Sequence, residues 1–417
     1  MDIVLKGATV IDPSSPFHLS KSDIRIQNGL IAEIGEIAGT DEVVNIDGLS
    51  VSPGFCDVFT HACDPGHEYR ETLETAAKSA AFGGYTNVFL LPNTAPCVDG
   101  KGTVEYIVQR SAGLPVSFHP IGAITKEIKG KELAEMYDMA NSGAVAFTDG
   151  LSPVASAGLL VKALQYLQSI GKVIIQVPDD PNFSGHGLMN EGIVSTRLGL
   201  PGKPAVAEEL VISRDIELAK YTGGKLHFTG ISKAKGIELI RKAKDAGVQV
   251  TCSVTPYHLL FIDEDLASYD TNLKLTPPLR TSADRDALRN AVQDGTVDCI
   301  ASHHLPQHID NKIVEFEYAK DGMIGLETCY SVIRTAMPVL SPDRIIELLS
   351  INPRKIFDLP LPSIQVGHTA SMCLYLPNTE WTPQAFHSKS RNTPFLGKTL
   401  TGKPLGVIHK DRLFLRP

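Results

Sequence analysis

What the sequence lacks narrows its function first. The 39 Lys and Arg are outnumbered by 47 Asp and Glu and form no basic stripe, so nucleic acid is not an expected partner. The opening MDIVLKGATVIDP sets charged and polar residues inside its apolar run, which fits neither a secretory signal nor a membrane span. The seven Cys are scattered, odd in number and never spaced Cys-x-x-Cys, which argues against a disulfide frame and for a reducing compartment. No G-x-G-x-x-G follows the first buried run, so nothing marks a dinucleotide fold. A soluble cytoplasmic protein is expected, with no membrane and no nucleic-acid partner.

What is present changes rhythm along the chain. Residues 1–53 alternate apolar and polar over short runs such as Ile24-Arg25-Ile26 and Ile31-Ala32-Glu33-Ile34, broken by Gly, Asn and Pro. Residues 362–417 return to that style with Cys373-Leu374-Tyr375-Leu376 and Leu413-Phe414-Leu415. This is the pattern of an antiparallel sheet with one wet face, and a small β-sandwich domain built from both chain ends is expected.

Between them, over 54–361, continuous apolar runs alternate with amphipathic helices. The runs are 55–61, 87–91, 116–121, 144–147, 173–177, 226–229, 248–254 and 299–302. Helical spacing follows most of them, as in Leu159 to Leu167 and Glu208 to Lys220. Strands buried on both faces and separated by helices call for a parallel sheet, and eight such units predict a (β/α)8 TIM barrel of α/β class. The open doubly wound sheet is the alternative.

The first run, GFCDVFTHACDPG over Gly54 to Gly66, ends at a turn, which puts His61 where a strand gives way to a rim loop. Its frame resembles the D-x-H-x-H-L-R-E-P-G opening of the dihydroorotase family within the amidohydrolase superfamily. Ordered likenesses continue through Pro92-Asn93-Thr94, Gly143 to Phe147, Glu191-Gly192, Leu198-Gly199-Leu200, Pro277 to Arg280, Gly325 to Thr328, Asn352-Pro353, Ser388 to Ser390 and Asn392 to Phe395.

That resemblance implies one or two divalent metals held by His and carboxylates at the strand ends, polarising a cyclic amide and activating water. Position by position, the implied ligands are largely replaced. Phe59 stands where the first His belongs, and His61 keeps the second. Asp149 is the remnant of a two-Asp motif, Gln176 replaces a His, Gly230 replaces the second His of H-x-x-H, and His303 stands at the catalytic Asp. The implied substrate clamp is reduced to Asn93, with Cys63 for an Arg and Gln307 for a His.

The closest resemblance is therefore to catalytically degraded members of the family. It implies a scaffold role beside aspartate transcarbamoylase in pyrimidine biosynthesis; no cofactor is expected, and a homo-oligomer, a dimer by the commonest default, is expected. The competing expectation is an active dihydroorotase, or another cyclic-amide hydrolase, with one zinc rebuilt among His61, Cys63, His67, Asp149 and His303. Plainer readings stand beside both: His61 as a hydrogen-bonded rim histidine, His303 and His304 as packing groups, Asn93 and Asp149 as turn caps, and Asp57 as a structural acceptor. Phe59 is expected to leave the vacated pocket small and dry.

Overall fold

The computed structural model describes residues 2–38 and 42–416. The two chain ends do meet in one sheet of eight strands. Strand Ser50–Pro53 pairs in parallel with Asp2–Val10 and antiparallel with Ser371–Trp381, and the C-terminal hairpin Leu400–His409 and Arg412–Leu415 extends the same sheet. Alternation sets its faces: Ile3, Leu5, Ile24, Ile26, Val51, Met372, Leu374 and Ile408 share one buried cluster.

Between these ends lie two parallel sheets. Strands Phe55–Thr60, Tyr85–Leu90 and Ser117–Pro120 form the first, and Val173–Gln176, Lys225–Phe228, Val250–Val254 and Cys299–Ile300 the second. Parallel bridges join Gly122 to Phe147, Phe147 to Ile174, and Thr60 to His304. The expected strand over 144–147 is thus reduced to bridge contacts at Phe147. Gly143, at φ +117°, turns the chain just before it and Gly150, at φ +70°, just after, and within that short length it still pairs on both sides: Val145 N and Phe147 N donate to Pro120 O and Val173 O, and Gly122 N and Ile175 N donate to Ala146 O and Phe147 O.

Helices follow the strands, and their starts are written locally. Thr72 caps Leu73–Phe82 in a reciprocal box with Thr75, and Ser156 and Thr281 cap Ala157–Gln168 and Ser282–Asp294. Leu160, Ala163, Leu164 and Leu167 bury one face of their helix, as their three- and four-residue spacing requires. Phe55 joins the two units: its ring lies 5.8 Å from Tyr85, 5.7 Å from Tyr330 and 6.4 Å from Tyr375. Gly84, at φ +91°, allows this approach because a Cβ there would strike Cys373 Sγ. No helix among the described residues is long and apolar enough to cross a membrane.

Candidate functional site

The C-terminal ends of the parallel strands bring Phe59, His61 and His303 to one small cleft with Tyr257 and His258. Phe59 packs face to face on His303, ring centroids 4.4 Å apart and planes 28° from parallel, and meets His61 edge-on at 6.3 Å. About 20 Å³ remains open to water, room for roughly one molecule.

His303 sits at φ +44°, and its Nε2 lies 2.8 Å from Thr229 Oγ1. A polar chain runs inward from there: Ser253 Oγ donates to Thr229 Oγ1 at 2.7 Å, and His227 Nε2 lies 3.1 Å from Ser253 Oγ. With Ser253 donating, the Thr229 hydroxyl hydrogen is directed at His303 Nε2 and occupies that lone pair. Burial pushes both imidazoles down to about 3, so they are neutral near pH 7. His303 is therefore neither a carboxylate nor a free base.

The other positions are equally committed. Gln176 accepts from Val154 N and donates to Asp215, tying neighbouring elements together. Asp149 accepts from the backbone of Ile124 and Thr125 and, at 2.5 Å, from Thr125 Oγ1, while burial pushes its pKa up. It thus holds the loop after the Ser117–Pro120 strand instead of capping its own turn. Gly230 lies at φ +71° beside the His303 ring. Asp57 accepts from Ser302 N and Oγ and from Thr60, a structural acceptor as expected.

Two groups keep unspent polarity. His61 donates its backbone N–H to His304 O, but its buried Nε2 has no partner, and burial with the Arg70 charge holds its pKa well below normal. Asn93 donates Nδ2 to Asp149 O at 3.3 Å and leaves Oδ1 buried and unpartnered. The remaining clamp positions carry no charge: burial raises the Cys63 thiol to about 12, and Gln307 spends its amide on Asp321 O at 2.7 Å. Among the described residues, no three His, Cys, Asp or Glu side chains are grouped to hold a metal ion, the set of His61, Cys63 and His67 included. The donors do not fit the metal centre that the resemblance implies.

Sequence reasoning missed a buried cluster beside the cleft. Glu71 accepts from His304 Nε2 at 3.4 Å, from Lys389 N at 3.0 Å and from Ser388 and Thr75. His304 Nδ1 accepts from Gly325 N, which leaves the proton on Nε2. Burial pushes the Glu71 carboxyl up, and His304, Ser388 and Thr75 outweigh it, so its pKa lies below normal. Arg70, also missed, donates Nε and Nη2 to Pro306 O. No sequence signal pairs Arg70-Glu71 with Ser388-Lys389-Ser390, which lie more than 300 residues apart.

A family profile described as Dihydro-orotase-like matches residues 48–235. The chain is 41% identical over 425 residues to a dihydroorotase of Pelotomaculum thermopropionicum, covering 100% of this chain and 99% of the relative. It is 38% identical over 422 residues to one of Syntrophus aciditrophicus, covering 99% of each. Among solved structures, L-hydantoinase (dihydropyrimidinase) from Arthrobacter aurescens superposes with a TM-score of 0.86 at 22% identity, over 100% of this chain and 96% of that one. A D-hydantoinase gives 0.84 at 19%, over 100% and 95%. At such low identity the structural likeness speaks for the α/β fold of these amidohydrolases. The sequence likeness, 41% identity across essentially the whole of both chains, shows that the chain belongs to the dihydroorotase family.

Proposed function

We propose that this chain is a dihydroorotase-like protein of pyrimidine biosynthesis that has given up catalysis and serves as a structural partner, a scaffold for aspartate transcarbamoylase. It works in the cytoplasm as a homo-oligomer, most simply a dimer, without metal. The fold proposed for it is a closed (β/α)8 barrel over 54–361, supported by the parallel bridges at Phe147 and His304, with a small β-sandwich from 1–53 and 362–417.

The observation that carries the reading is the Phe59–His303 stack. A working centre needs an open metal position and a carboxylate base in that space. Here an aromatic ring and a neutral imidazole occupy it, and the imidazole's Nε2 is engaged by Thr229. Substrate binding fails on the same logic, because neither the neutral Cys63 thiol nor the Gln307 amide offers a charge-assisted bond to a carboxylate. The small volume of the cleft that Phe59 lines, about 20 Å³, supports the same reading.

A second reading rests on the unpartnered Nε2 of His61. It supports an active dihydroorotase, or another cyclic-amide hydrolase, that recruits one zinc through His61 after the mouth rearranges. Metal content separates the two. Protein purified without chelator or added metal is expected to hold well under one equivalent of transition metal; a stoichiometric metal favours the hydrolase. Co-sedimentation with aspartate transcarbamoylase at micromolar concentration tests the scaffold role, and independent sedimentation counts against it.

A further inference from the structure

A cavity of about 410 Å³ opens away from the cleft, where the Tyr85–Leu90 and Ser117–Pro120 strands begin and the two-ended sheet packs against them. Arg354, Lys410, His119, His368 and His409 line it, and no Asp or Glu does. Arg354 is only 1% exposed. Its guanidinium donates to Ser350 O at 2.9 Å, Ser350 Oγ at 2.7 Å and Thr86 Oγ1 at 3.1 Å, all neutral oxygens. No carboxylate among the described residues pairs with it. A guanidinium stays charged at any ordinary pH, so this is a buried cation without a counter-ion, an arrangement that is costly unless something supplies the negative charge.

The groups around it leave that charge unanswered. Asn87 donates Nδ2 to Thr86 Oγ1 at 3.1 Å, so its Oδ1 accepts from His119 Nε2 at 2.8 Å and His119 Nδ1 is left with a lone pair. His409 is bracketed by Ser117 Oγ at 2.9 Å and Ser371 Oγ at 3.4 Å. Burial pushes His119 and His409 down to about 4, and the charges of Arg354 and Lys410 add to it; no acid acts in the other direction.

We propose that this cavity binds a small phosphate-bearing anion, with Arg354 at its base, Lys410 at its mouth, and His119 and His409 as the side walls. A phosphate dianion suits two fixed cations better than a carboxylate does, because it brings about two charges and three acceptor oxygens. Its arrival offsets the repulsion that Arg354 and Lys410 exert on the histidines and so raises their pKa values. A cavity of this size also leaves room beyond the phosphate for a small organic group.

Isothermal titration of the full chain with inorganic phosphate, and separately with glycerol phosphate, at constant ionic strength tests this. Saturable binding at one site per chain is expected, weakened about tenfold by Lys410→Asn and by His119→Asn. Lys410 is exposed and sits at φ +57°, a conformation asparagine accepts, so that variant keeps the fold. Tighter binding of glycerol phosphate assigns the spare volume to an organic moiety, and equal affinities assign the site to the free anion; both support the proposal. The absence of saturable binding with either probe, or affinities unchanged in both variants, overturns it.

Discussion

Gly230 and His303 compete for one volume: a Cβ built on Gly230 would lie 2.8 Å from Cε1 of His303, at a backbone φ of +71°. The family's histidine cannot return to position 230 while the ring of His303 is there, so the two replacements are physically coupled. Gly230→Ala is expected to destabilise the protein by about 2–4 kcal/mol, combining left-handed strain with overpacking. In a His303→Ala background most of the overpacking should go, leaving only the 3.2 Å approach to Pro277 Cδ, and urea unfolding of the double-mutant cycle should return a coupling of about 1 kcal/mol or more. Equal costs in the two backgrounds would contradict the shared volume.

Acid should weaken the fold through its neutral histidines. His303 and His227 lie near 3 and His258 near 4, all below the ordinary 6.5, mainly through burial. Between those values and 6.5 the unfolded chain binds more protons than the native one, so their contribution is intact above about 6.5 and is lost as pH falls. Each group adds at most about 1.4 kcal/mol per pH unit to the slope. Urea unfolding at stepped pH should show His303→Gln with a slope shallower by close to one proton; an unchanged slope would mean His303 is charged or exposed.

Glu71 links the mouth to the C-terminal segment by accepting from His304, Ser388 and Lys389. Glu71→Gln should cost about 2–4 kcal/mol, because buried donors then face an amide that accepts at only one oxygen. Hydrogen exchange over residues 386–395 should speed up more than over the Val173–Gln176 strand. Uniform change across both would show a general loss of stability instead of a lost tether.

The native thiols should be nearly inert. Six of the free cysteines are buried, and Cys97 alone is half-exposed. Cys63 is held near 12 by burial, so it is a protonated thiol at neutral pH. Burial and Asp99 push the accessible Cys97 up to about 11, so an aromatic disulfide reagent near pH 7.5 should label at most one thiol per chain, and slowly, against all seven in urea. Rapid labelling of Cys63 would place it in an open, electropositive pocket.

The scaffold of this arrangement was legible because periodicity reports faces. Val173 to Val177 reads as a strand buried on both sides, and alternation around Ile24 and Ile26 reads as a one-sided sheet; both faces are as the spacing implies. The run over 144–147 also pairs with both neighbours, but only briefly, since an apolar run does not say how many residues the turns on either side leave for pairing. The occupants of the rim were also legible, by position. Their partners were not: Gly230 with His303, Glu71 with Ser388, and Arg354 with Thr86 meet across long stretches of chain. Spacing fixes the side a residue faces, and only the packed fold fixes what it meets there.

In the proposed reading, Phe59 stacked on His303 fills the space that a catalytic metal would need. Turnover of dihydroorotate and of carbamoyl aspartate by the purified chain, with zinc or cobalt added in turn, tests it most directly. No rate above the metal-only control is expected in either direction at any pH from about 6 to 9, the span over which a metal-bound water would ionise. Metal-dependent turnover that is lost with His61→Ala would contradict it.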